Sequence, residues 1–336
     1  MKSYTIALLL TLCLAAGLGT MTAIPQSAGE TVDAHVAAAR AAARQEHTAL
    51  FNLCTLPPAA PPTPPPVAQP QAPPDRSQWH AEPVKVFDNL YFVGMTEYSA
   101  WAVTTSDGII VIDPIFDYSV EDEIANGLPK LGLDPKNIKY VLVSHGHRDH
   151  VGGASYLQDR FGARVILSAA DWDLLGRTTG TWPKPKRDMV ATDGQRLTLG
   201  DTTLTLYLTP GHTLGTISTF IPVKDGGRTH VAALWGGTAF NWLRNRAAYI
   251  TPDRPDRFWF ESYSSSARRF RDIAARAGAD VLISNHTSYD ASRTKMPALE
   301  RRQPSDPHPY VVGNESVQRY LTVADECAKA GLLRLR

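Results

Sequence analysis

The chain is poor in cysteine, balanced in charge and almost free of long apolar runs. Of its 336 residues only three are cysteines, too few for a disulfide scaffold or a zinc site of four thiolates. Lysine and arginine total 34 against 33 aspartates and glutamates, a near-neutral balance that argues against a nucleic-acid binder. Only the first 20 residues contain an extended apolar run, which excludes a polytopic membrane protein. At 43% hydrophobic residues, the chain can still build a large core.

Residues 1–28 have the layout of a secretory signal peptide. Lys2 precedes the apolar residues 6–18, and small residues follow them. That apolar stretch is short for a bilayer, which needs about 20 residues, so cleavage is favoured over the alternative of an uncleaved anchor. We therefore expect an exported protein, periplasmic or secreted, with no stable membrane span after cleavage.

Two segments separate this signal from the main folded region. Residues 29–56 are rich in alanine at helical spacing and predict an N-terminal helix over 31–53. Residues 57–78 predict a linker, since 10 of the 18 positions from 57 to 74 are proline. Such a segment is typical of a polyproline-II spacer, with a proline-rich ligand for a partner as the alternative. Residues 79–336 are predicted to form the main folded domain.

Strand and helix signals alternate through residues 79–336 and form two β-rich halves that divide near residue 190. Apolar runs bounded by turn residues predict the strands, and longer amphipathic stretches predict the helices between them. The predicted strands are 84–87, 90–93, 101–105, 109–112, 140–143, 165–167, 197–199, 203–208, 217–221, 231–235 and 281–284. The predicted helices are 120–128, 154–160, 258–277 and 317–333.

The strongest chemical signal is the segment His-Gly-His-Arg-Asp-His at residues 145–150, directly after a predicted buried strand. Alternate residues of an extended segment point the same way, so His145 and His147 can hold one metal ion. The turn that follows lets Asp149 and His150 face a second ion. The alternative, a solvated polar loop, would not concentrate three of the ten histidines in one turn. Imidazole and carboxylate are the ligands of a zinc site without thiolate.

Two more histidines follow predicted strands. His212 lies in Thr-Pro-Gly-His-Thr after the strand 203–208, and His286 follows the strand 281–284. The remaining histidines lack this context and are predicted to be ordinary surface residues. They are His35, His47, His80, His230 and His308.

Taken in order, these motifs resemble the metallo-β-lactamase superfamily over residues 84 to 290. The resemblance implies a mixed α/β fold, the αββα sandwich of two sheets with helices outside, and two Zn²⁺ ions as cofactors. It implies that one zinc is bound by His145, His147 and His212. It implies that the other zinc is bound by Asp149, His150 and His286. Asp113 matches an aspartate that supports the metal site, with a simple strand-end turn as the alternative.

Departures from the superfamily pattern narrow the resemblance. Glyoxalase II and the acyl-homoserine lactonases carry a metal-bridging aspartate where this chain has Gly237 or Thr238, and neither can bridge. The β-lactamases with a cysteine ligand are excluded, because no cysteine lies between residues 55 and 326. The chain is most similar to the third class-B subgroup of metallo-β-lactamases, which has a small hydroxyl residue where Thr238 stands. Phe240 occupies the position of a serine that holds the β-lactam carboxylate.

The resemblance implies a zinc-dependent hydrolase of small molecules. Zinc lowers the pKa of its bound water toward ~7, so that hydroxide can open a carbonyl bond, with Asp149 and Thr238 as catalytic residues. The leading substrate is a β-lactam-like cyclic amide. Lactone, thioester or phosphoester hydrolysis is the alternative, and a non-hydrolytic metal-binding domain is a third. Phe240 predicts weak lactam activity, which Phe240→Ser should raise.

Two cysteines remain once Cys13 leaves with the signal. Cys54 adjoins the proline-rich linker, and Cys327 lies in the last predicted helix. An even count in an oxidising compartment makes a Cys54–Cys327 disulfide a candidate. Two separate thiols are the alternative.

Overall fold

A seven-stranded sheet carries the first half of the fold in a computed structural model that describes residues 30–55 and 73–335. Its strands neighbour one another in chain order, antiparallel from β1 to β4 and parallel from β4 to β7. They are β1 (Val84–Phe87), β2 (Leu90–Phe92), β3 (Trp101–Thr105), β4 (Gly108–Ile112), β5 (Ile138–Leu142), β6 (Arg164–Ser168) and β7 (Met189–Ala191). The parallel strands place the carboxyl ends of β4, β5 and β6 at one edge of this sheet.

A five-stranded sheet in the order β12-β11-β10-β9-β8 carries the second half. Its strands are β8 (Gln195–Leu199), β9 (Thr202–Leu208), β10 (Ile217–Asp225), β11 (Arg228–Trp235) and β12 (Val281–Ser284). β9 and β11 are both antiparallel to β10, and β12 is parallel to β11. The carboxyl ends of β9, β11 and β12 therefore meet at one edge, which places the loops after them close together.

The two sheets share one apolar layer. Leu142 and Ile166 of the first sheet are fully buried in the same cluster as Leu206 and Ile283 of the second. Because successive strand residues point to opposite faces, Val141 packs instead against the helices outside. Burial on both faces explains why the end of β5, Val141 and Leu142, is apolar without alternation, whereas Lys139 near its start is exposed. This arrangement confirms the predicted mixed α/β sandwich and its division near residue 190.

Helices cover the outer faces of both sheets. They are α1 (Val32–Ala43), α2 (Thr48–Phe51), α3 (Gly127–Lys130), α4 (Arg148–Val151), α5 (Ala154–Phe161), α6 (Ala169–Arg177), α7 (Arg246–Tyr249), α8 (Asp256–Ala277), α9 (Ser292–Glu300) and α10 (Asn314–Leu333). The last helix, α10, packs against both α8 and α1. Among the described residues, no helix has the length and apolarity that crossing a membrane requires.

The N-terminal helix is shorter than the predicted 31–53. Thr31 caps α1 by accepting a hydrogen bond from Ala34 N, and α1 ends where Arg44 adopts a positive φ of 47°. The chain then turns and forms α2 and a 3-10 turn at Asn52–Cys54. Residues from Thr31 onward form one compact unit, so α1 packs onto the catalytic fold. The predicted signal (1–28) and residues 57–72 of the predicted linker lie outside the described residues.

The other predicted helices agree with the structure with one exception, whereas α6 and α9 were not predicted. The predicted helix 120–128 is a π-helical turn, Glu121–Ala125, followed by the single turn of α3. Pro129 lacks a backbone N–H and clashes within a helix interior, so a continuous helix through this stretch is disfavoured. The long helices α8 and α10 contain the predicted 258–277 and 317–333.

Candidate metal centre

The predicted ligands all lie in loops at the adjoining strand ends of the two sheets. The segment after β5 bends through residues 144–147, where His147 has φ −81° and ψ 148°, and then enters α4. His145 and His147 lie in this bend, whereas Asp149 and His150 lie in the first turn of α4. His212 follows β9, and His286 follows β12.

Three histidines form a first triad, His145, His147 and His212. His212 Nε2 lies 3.1 Å from His145 Nε2 and 3.1 Å from His147 Nδ1. The opposite ring nitrogens of two members face backbone carbonyls: His145 Nδ1 lies 2.8 Å from Gly236 O, and His212 Nδ1 lies 2.7 Å from Ala239 O. These carbonyls accept the ring protons, so unprotonated nitrogens point into the triad.

The chemistry of this first triad fits a cation. Burial lowers the pKa of all three histidines, and it lowers that of His147 to about 4, so the rings are neutral at pH 7. Converging lone pairs at about 3 Å repel one another unless a positive ion lies among them. Neutral imidazole nitrogens are suitable ligands for zinc.

Asp149, His150 and His286 form a second triad, with donor atoms within 4.8 Å of one another. Asp149 Oδ2 lies 3.1 Å from His150 Nε2 and 3.7 Å from His286 Nε2. Burial lowers the pKa of His286 to about 4. The two triads adjoin, since the His150 ring centroid is 4.3 Å from that of His145.

Asp113 lies behind the second triad. Its Oδ2 is 3.2 Å from His150 Nδ1, and its carboxylate accepts hydrogen bonds from the backbone N–H (2.6 Å) and hydroxyl (2.7 Å) of Ser144. Burial alone would lower the pKa of His150, but the carboxylates of Asp149 and Asp113 raise it to about 10. A metal at Nε2 would replace that proton, while Nδ1–H continues to face Asp113. Such an outer carboxylate orients a histidine ligand.

Comparison with known proteins decides the family. The sequence-family model of the metallo-β-lactamase superfamily matches residues 94–226 of this chain. The hydroxyacylglutathione hydrolase of Pseudomonas syringae pv. syringae is 30% identical over 195 residues, 52% of this chain and 71% of that protein. The chain belongs to the metallo-β-lactamase superfamily. A second relative, the hydroxyacylglutathione hydrolase of Acidiphilium cryptum, is 30% identical over 119 residues, which span 35% of this chain and only 42% of that protein.

Solved structures of the superfamily match most of the chain. A subclass B3 metallo-β-lactamase of Bradyrhizobium japonicum is 28% identical, with a TM-score of 0.62, over 73% of this chain and 91% of that one. A metallo-β-lactamase of Elizabethkingia meningoseptica is 22% identical with a TM-score of 0.62 over 82% of this chain and 100% of that one, a likeness of fold alone. The predicted superfamily and its hydrolytic character are confirmed, and the chain is a metallo-hydrolase of this fold.

Asp171 joins the loops of this metallo-hydrolase centre and was missed by the sequence analysis. It is fully buried at the start of α6 and accepts hydrogen bonds from Gly146 N (2.8 Å), Thr213 Oγ1 (2.8 Å) and Gly215 N (2.9 Å). Burial raises the pKa of its carboxyl to about 6, against the effect of these hydrogen bonds. One side chain thus connects the loop of His145 and His147 to the loop of His212. The sequence feature that could have identified Asp171 is its position just after β6, at the same edge of the first sheet as Asp113.

Tyr249 and Asn241 also reach the first triad without any sequence signal. Tyr249 Oη lies 2.6 Å from His147 Nε2, and burial raises the pKa of the phenol. Asn241 Nδ2 lies 3.4 Å from both His147 Nδ1 and His212 Nε2. A proton on His147 Nε2, donated to Tyr249, leaves Nδ1 as the ligand atom.

Gly237 and Thr238, in the loop after β11, have different surroundings. A Cβ at Gly237 would lie 2.4 Å from His212 Cβ, so this position has no room for a side chain. Thr238 is buried, its carbonyl accepts a hydrogen bond from Tyr263 Oη (2.8 Å), and its hydroxyl has no hydrogen-bond partner among the described residues. No hydrogen bond links the Thr238 hydroxyl to either triad, and its predicted catalytic role stays a prediction. Among the described residues, Asp149 is the carboxylate that belongs to a triad, and no other carboxylate belongs to either one.

Phe240 is a core residue, and this changes the expectation for its substitution. The ring is 5% exposed, with centroids 4.9 Å from Trp242, 4.9 Å from Tyr263 and 5.3 Å from Phe260. Phe240→Ser would therefore open a cavity in this aromatic cluster, and because Phe240 also lines a small cleft, the effect of the substitution on lactam hydrolysis stays a prediction.

The prediction of surface positions for the other five histidines is wrong for three of them. His35, His47 and His308 are buried, whereas His80 and His230 are partly exposed. His35 Nδ1 pairs with Glu326 at 2.6 Å, and His47 Nε2 lies 3.1 Å from Ser316 O. These partners come from α10, nearly 300 residues away, so no local pattern could reveal them.

Proposed function

We propose that this metallo-hydrolase binds two Zn²⁺ ions and opens carbonyl bonds, with β-lactam-like cyclic amides as the leading substrates. The observation that carries the proposal is the pair of adjoining triads, one of three histidines and one of Asp149, His150 and His286. Each triad offers three ligands, which leaves coordination positions open for a reacting molecule. Open positions distinguish catalytic zinc sites from structural ones.

The donor set supports zinc. It consists of imidazole nitrogens and one carboxylate, without thiolate, which suits zinc and also suits iron. His145, His147 and His212 would hold the first ion, and Asp149, His150 and His286 the second. Zinc bound there supplies a Lewis acid and lowers the pKa of the water that it binds.

Asp149 provides the proton chemistry of this proposal. Burial works to raise the pKa of its carboxyl, but the facing histidines, His150 foremost, outweigh burial and lower that pKa. Asp149 therefore remains ionised at neutral pH. It can orient an attacking water, accept its proton as the water oxygen bonds to the carbonyl carbon, and pass that proton to the ring nitrogen as the carbonyl–nitrogen bond of a cyclic amide breaks. The carbonyls of Gly236 and Ala239 hold the first triad in one tautomer and one orientation during that reaction.

The ligand set favours hydrolysis of lactams over hydrolysis of lactones, thioesters or phosphoesters. It has an all-histidine first triad and no bridging carboxylate among the described residues, and the B3 lactamase of Bradyrhizobium japonicum is similar over most of its length. The alternative is a lactonase, thioesterase or phosphoesterase of the same fold. The 30% identity to a hydroxyacylglutathione hydrolase over 71% of that protein favours a thioester within this alternative.

Export is part of the proposal. The signal-like layout of residues 1–28 and the cysteine pairing described below support a periplasmic or secreted enzyme. A small-molecule substrate that enters from outside the cell would meet the enzyme there.

A substrate panel tests the reaction. Zinc-loaded protein is assayed with a chromogenic cephalosporin, an aliphatic lactone, a glutathione thioester and a chromogenic phosphodiester, with Asp149→Asn as the inactive control. We expect the cephalosporin to be hydrolysed and Asp149→Asn to abolish the activity. Rapid cleavage of the lactone or thioester with the cephalosporin untouched would replace the lactam proposal by its alternative.

A further inference from the structure

The loop of residues 285–291, between β12 and α9, carries one ligand of the second triad, His286. Asp290, near the end of this loop, is 2% exposed and belongs to neither triad. Its Oδ2 accepts a hydrogen bond from Ser284 N at 2.8 Å, and its Oδ1 accepts one from Ser292 N at 2.9 Å. Ser284 is the last residue of β12 and Ser292 is the first of α9, so one carboxylate joins the two ends of the loop.

The carboxylate of Asp290 reaches His286 through Ser284. Ser284 is fully buried, and its hydroxyl accepts a hydrogen bond from the backbone N–H of His286 at 3.3 Å. The carbonyl of Ser284 accepts another from Trp101 Nε1 at 2.9 Å. Asp290 therefore fixes the residue that holds the backbone of the ligand, while it stays outside both triads.

A residue with an unfavourable backbone conformation lies in the same loop. Ala291 adopts φ 60° and ψ 27° directly before α9. The left-handed region is unfavourable for any residue that has a Cβ. Because the hydrogen bond between Asp290 and Ser292 spans Ala291, it opposes relaxation of the loop that carries His286.

The buried charge of Asp290 is compensated by one cation. Burial raises the pKa of the carboxyl to about 6, whereas Lys295 of α9 and the hydrogen bonds lower it, so the group is ionised at pH 7. The Lys295 ammonium lies 4.9 Å from the centroid of the Tyr310 ring, and Tyr310 Oη donates a hydrogen bond to Ser292 Oγ at 2.9 Å. A buried carboxylate is costly unless it is compensated and hydrogen-bonded, and both conditions are met here.

We propose that Asp290 is a positioning residue for the second metal ion and acts through the loop that carries His286. The ligands of the first triad, His145, His147 and His212, lie on the loops after β5 and β9. Loss of the Asp290 carboxylate therefore weakens binding of the second ion and leaves the first ion in place. The inference rests on the proposed function, because it concerns the second of the two zinc ions.

Stepwise zinc titration of the zinc-free mature protein, in competition with a chelator, measures the two affinities separately. Asp290→Asn keeps the size of the side chain but leaves one acceptor oxygen for two backbone donors. It should lower the affinity for the second zinc by about 10- to 100-fold, as for other residues that orient metal ligands. The affinity for the first zinc should stay close to that of the unmodified protein.

Asp325→Asn is the matched control. Asp325 is 1% exposed and lies 2.8 Å from Lys329 Nζ, but it accepts its hydrogen bond from Ser264 of α8 and from no loop that carries a metal ligand. The substitution should lower the urea midpoint of the zinc-free protein and change neither zinc affinity. Loss confined to the second zinc thus separates positioning from general destabilisation.

Two further variants test the route from Asp290 to the ion. In a His286→Ala background, Asp290→Asn should cause no further loss of affinity for the second zinc, because its effect passes through His286. Lys295→Met leaves both hydrogen bonds of Asp290 in place and removes only the compensating charge. It should lower the affinity for the second zinc in the same direction as Asp290→Asn, but by less.

The outcomes separate this inference from the proposed function. Equal affinities for the second zinc in Asp290→Asn and Asp325→Asn, or equal losses at both zinc sites, would overturn the inference and leave the dinuclear hydrolase standing. Loss confined to the second zinc, in a protein that hydrolyses none of the four panel substrates, would support the positioning role and overturn the proposed reaction. A protein that binds fewer than two zinc ions would overturn both.

Discussion

Asp171→Asn should weaken metal binding at the first triad. The carboxylate of Asp171 accepts three hydrogen bonds from two loops, and an asparagine side chain has only one acceptor oxygen for them. At least one buried donor then faces an NH₂ group. Each hydrogen bond to a charged group contributes about 1.5–3 kcal/mol. Changes to residues that orient metal ligands commonly cost about 10- to 100-fold in metal affinity, which is the loss we expect here.

Chelator competition measures that loss, and the absorption spectrum of the Co²⁺-substituted protein reports the ligand geometry. Asp173→Asn is the matched control, because Asp173 lies on the same helix, is exposed and pairs only with the exposed Arg187 among the described residues. Such a surface pair contributes about 1 kcal/mol or less. Equal zinc affinities and spectra for Asp171→Asn and Asp173→Asn would refute the reasoning.

Three further predictions concern stability. The Cys54–Cys327 disulfide closes a loop of 273 residues, so Cys54→Ser should lower the free energy of unfolding by about 2–5 kcal/mol; thiol titration of denatured mature protein finding two free groups would contradict the pairing. Burial lowers the pKa of His47 to about 4 from 6.5. The contribution of neutral His47 to the free energy of unfolding is therefore complete above pH 6.5. It is lost as the pH falls toward 4, and the loss is at most about 3 kcal/mol. Urea unfolding of His47→Gln should show a shallower acid loss, and an unchanged pH profile would contradict this. Phe240→Ser should cost about 3–5 kcal/mol in urea unfolding, as for removal of other buried aromatic rings; an unchanged midpoint with faster lactam hydrolysis would restore the original expectation for this residue.

Eleven of the twelve strands and the residues that form the two triads could be predicted because their signals are local, whereas β7 was not predicted. β5 ends in a buried apolar run, and three histidines and one aspartate follow it within residues 145–150. Parallel strands then bring distant strand ends to a common edge, so His212 and His286 were recognisable from their strand-end context alone. Burial on both faces of a strand and the geometry of strand ends are encoded within a few residues.

The supporting residues could not be predicted because they depend on contacts distant in the sequence. Asp171 bonds to a loop more than 40 residues later, and His47 is buried against Ser316. Thr238 was identified by its position after β11; it is buried with no hydrogen-bond partner for its hydroxyl among the described residues, and its catalytic role stays a prediction. The end of the N-terminal helix was not predicted because the residue with a positive φ that ends α1 is Arg44. A glycine at this position would have indicated a helix end.

The metal content of the active protein tests the central claim most directly. Elemental analysis of purified mature protein, with hydrolysis assayed on the same sample, should give two zinc ions per chain. His147→Ala, which removes a first-triad ligand, should lose most of the metal and the activity together. Full activity in protein that contains neither zinc nor iron, or undiminished zinc and activity in His147→Ala, would contradict a dinuclear zinc centre built from these two triads.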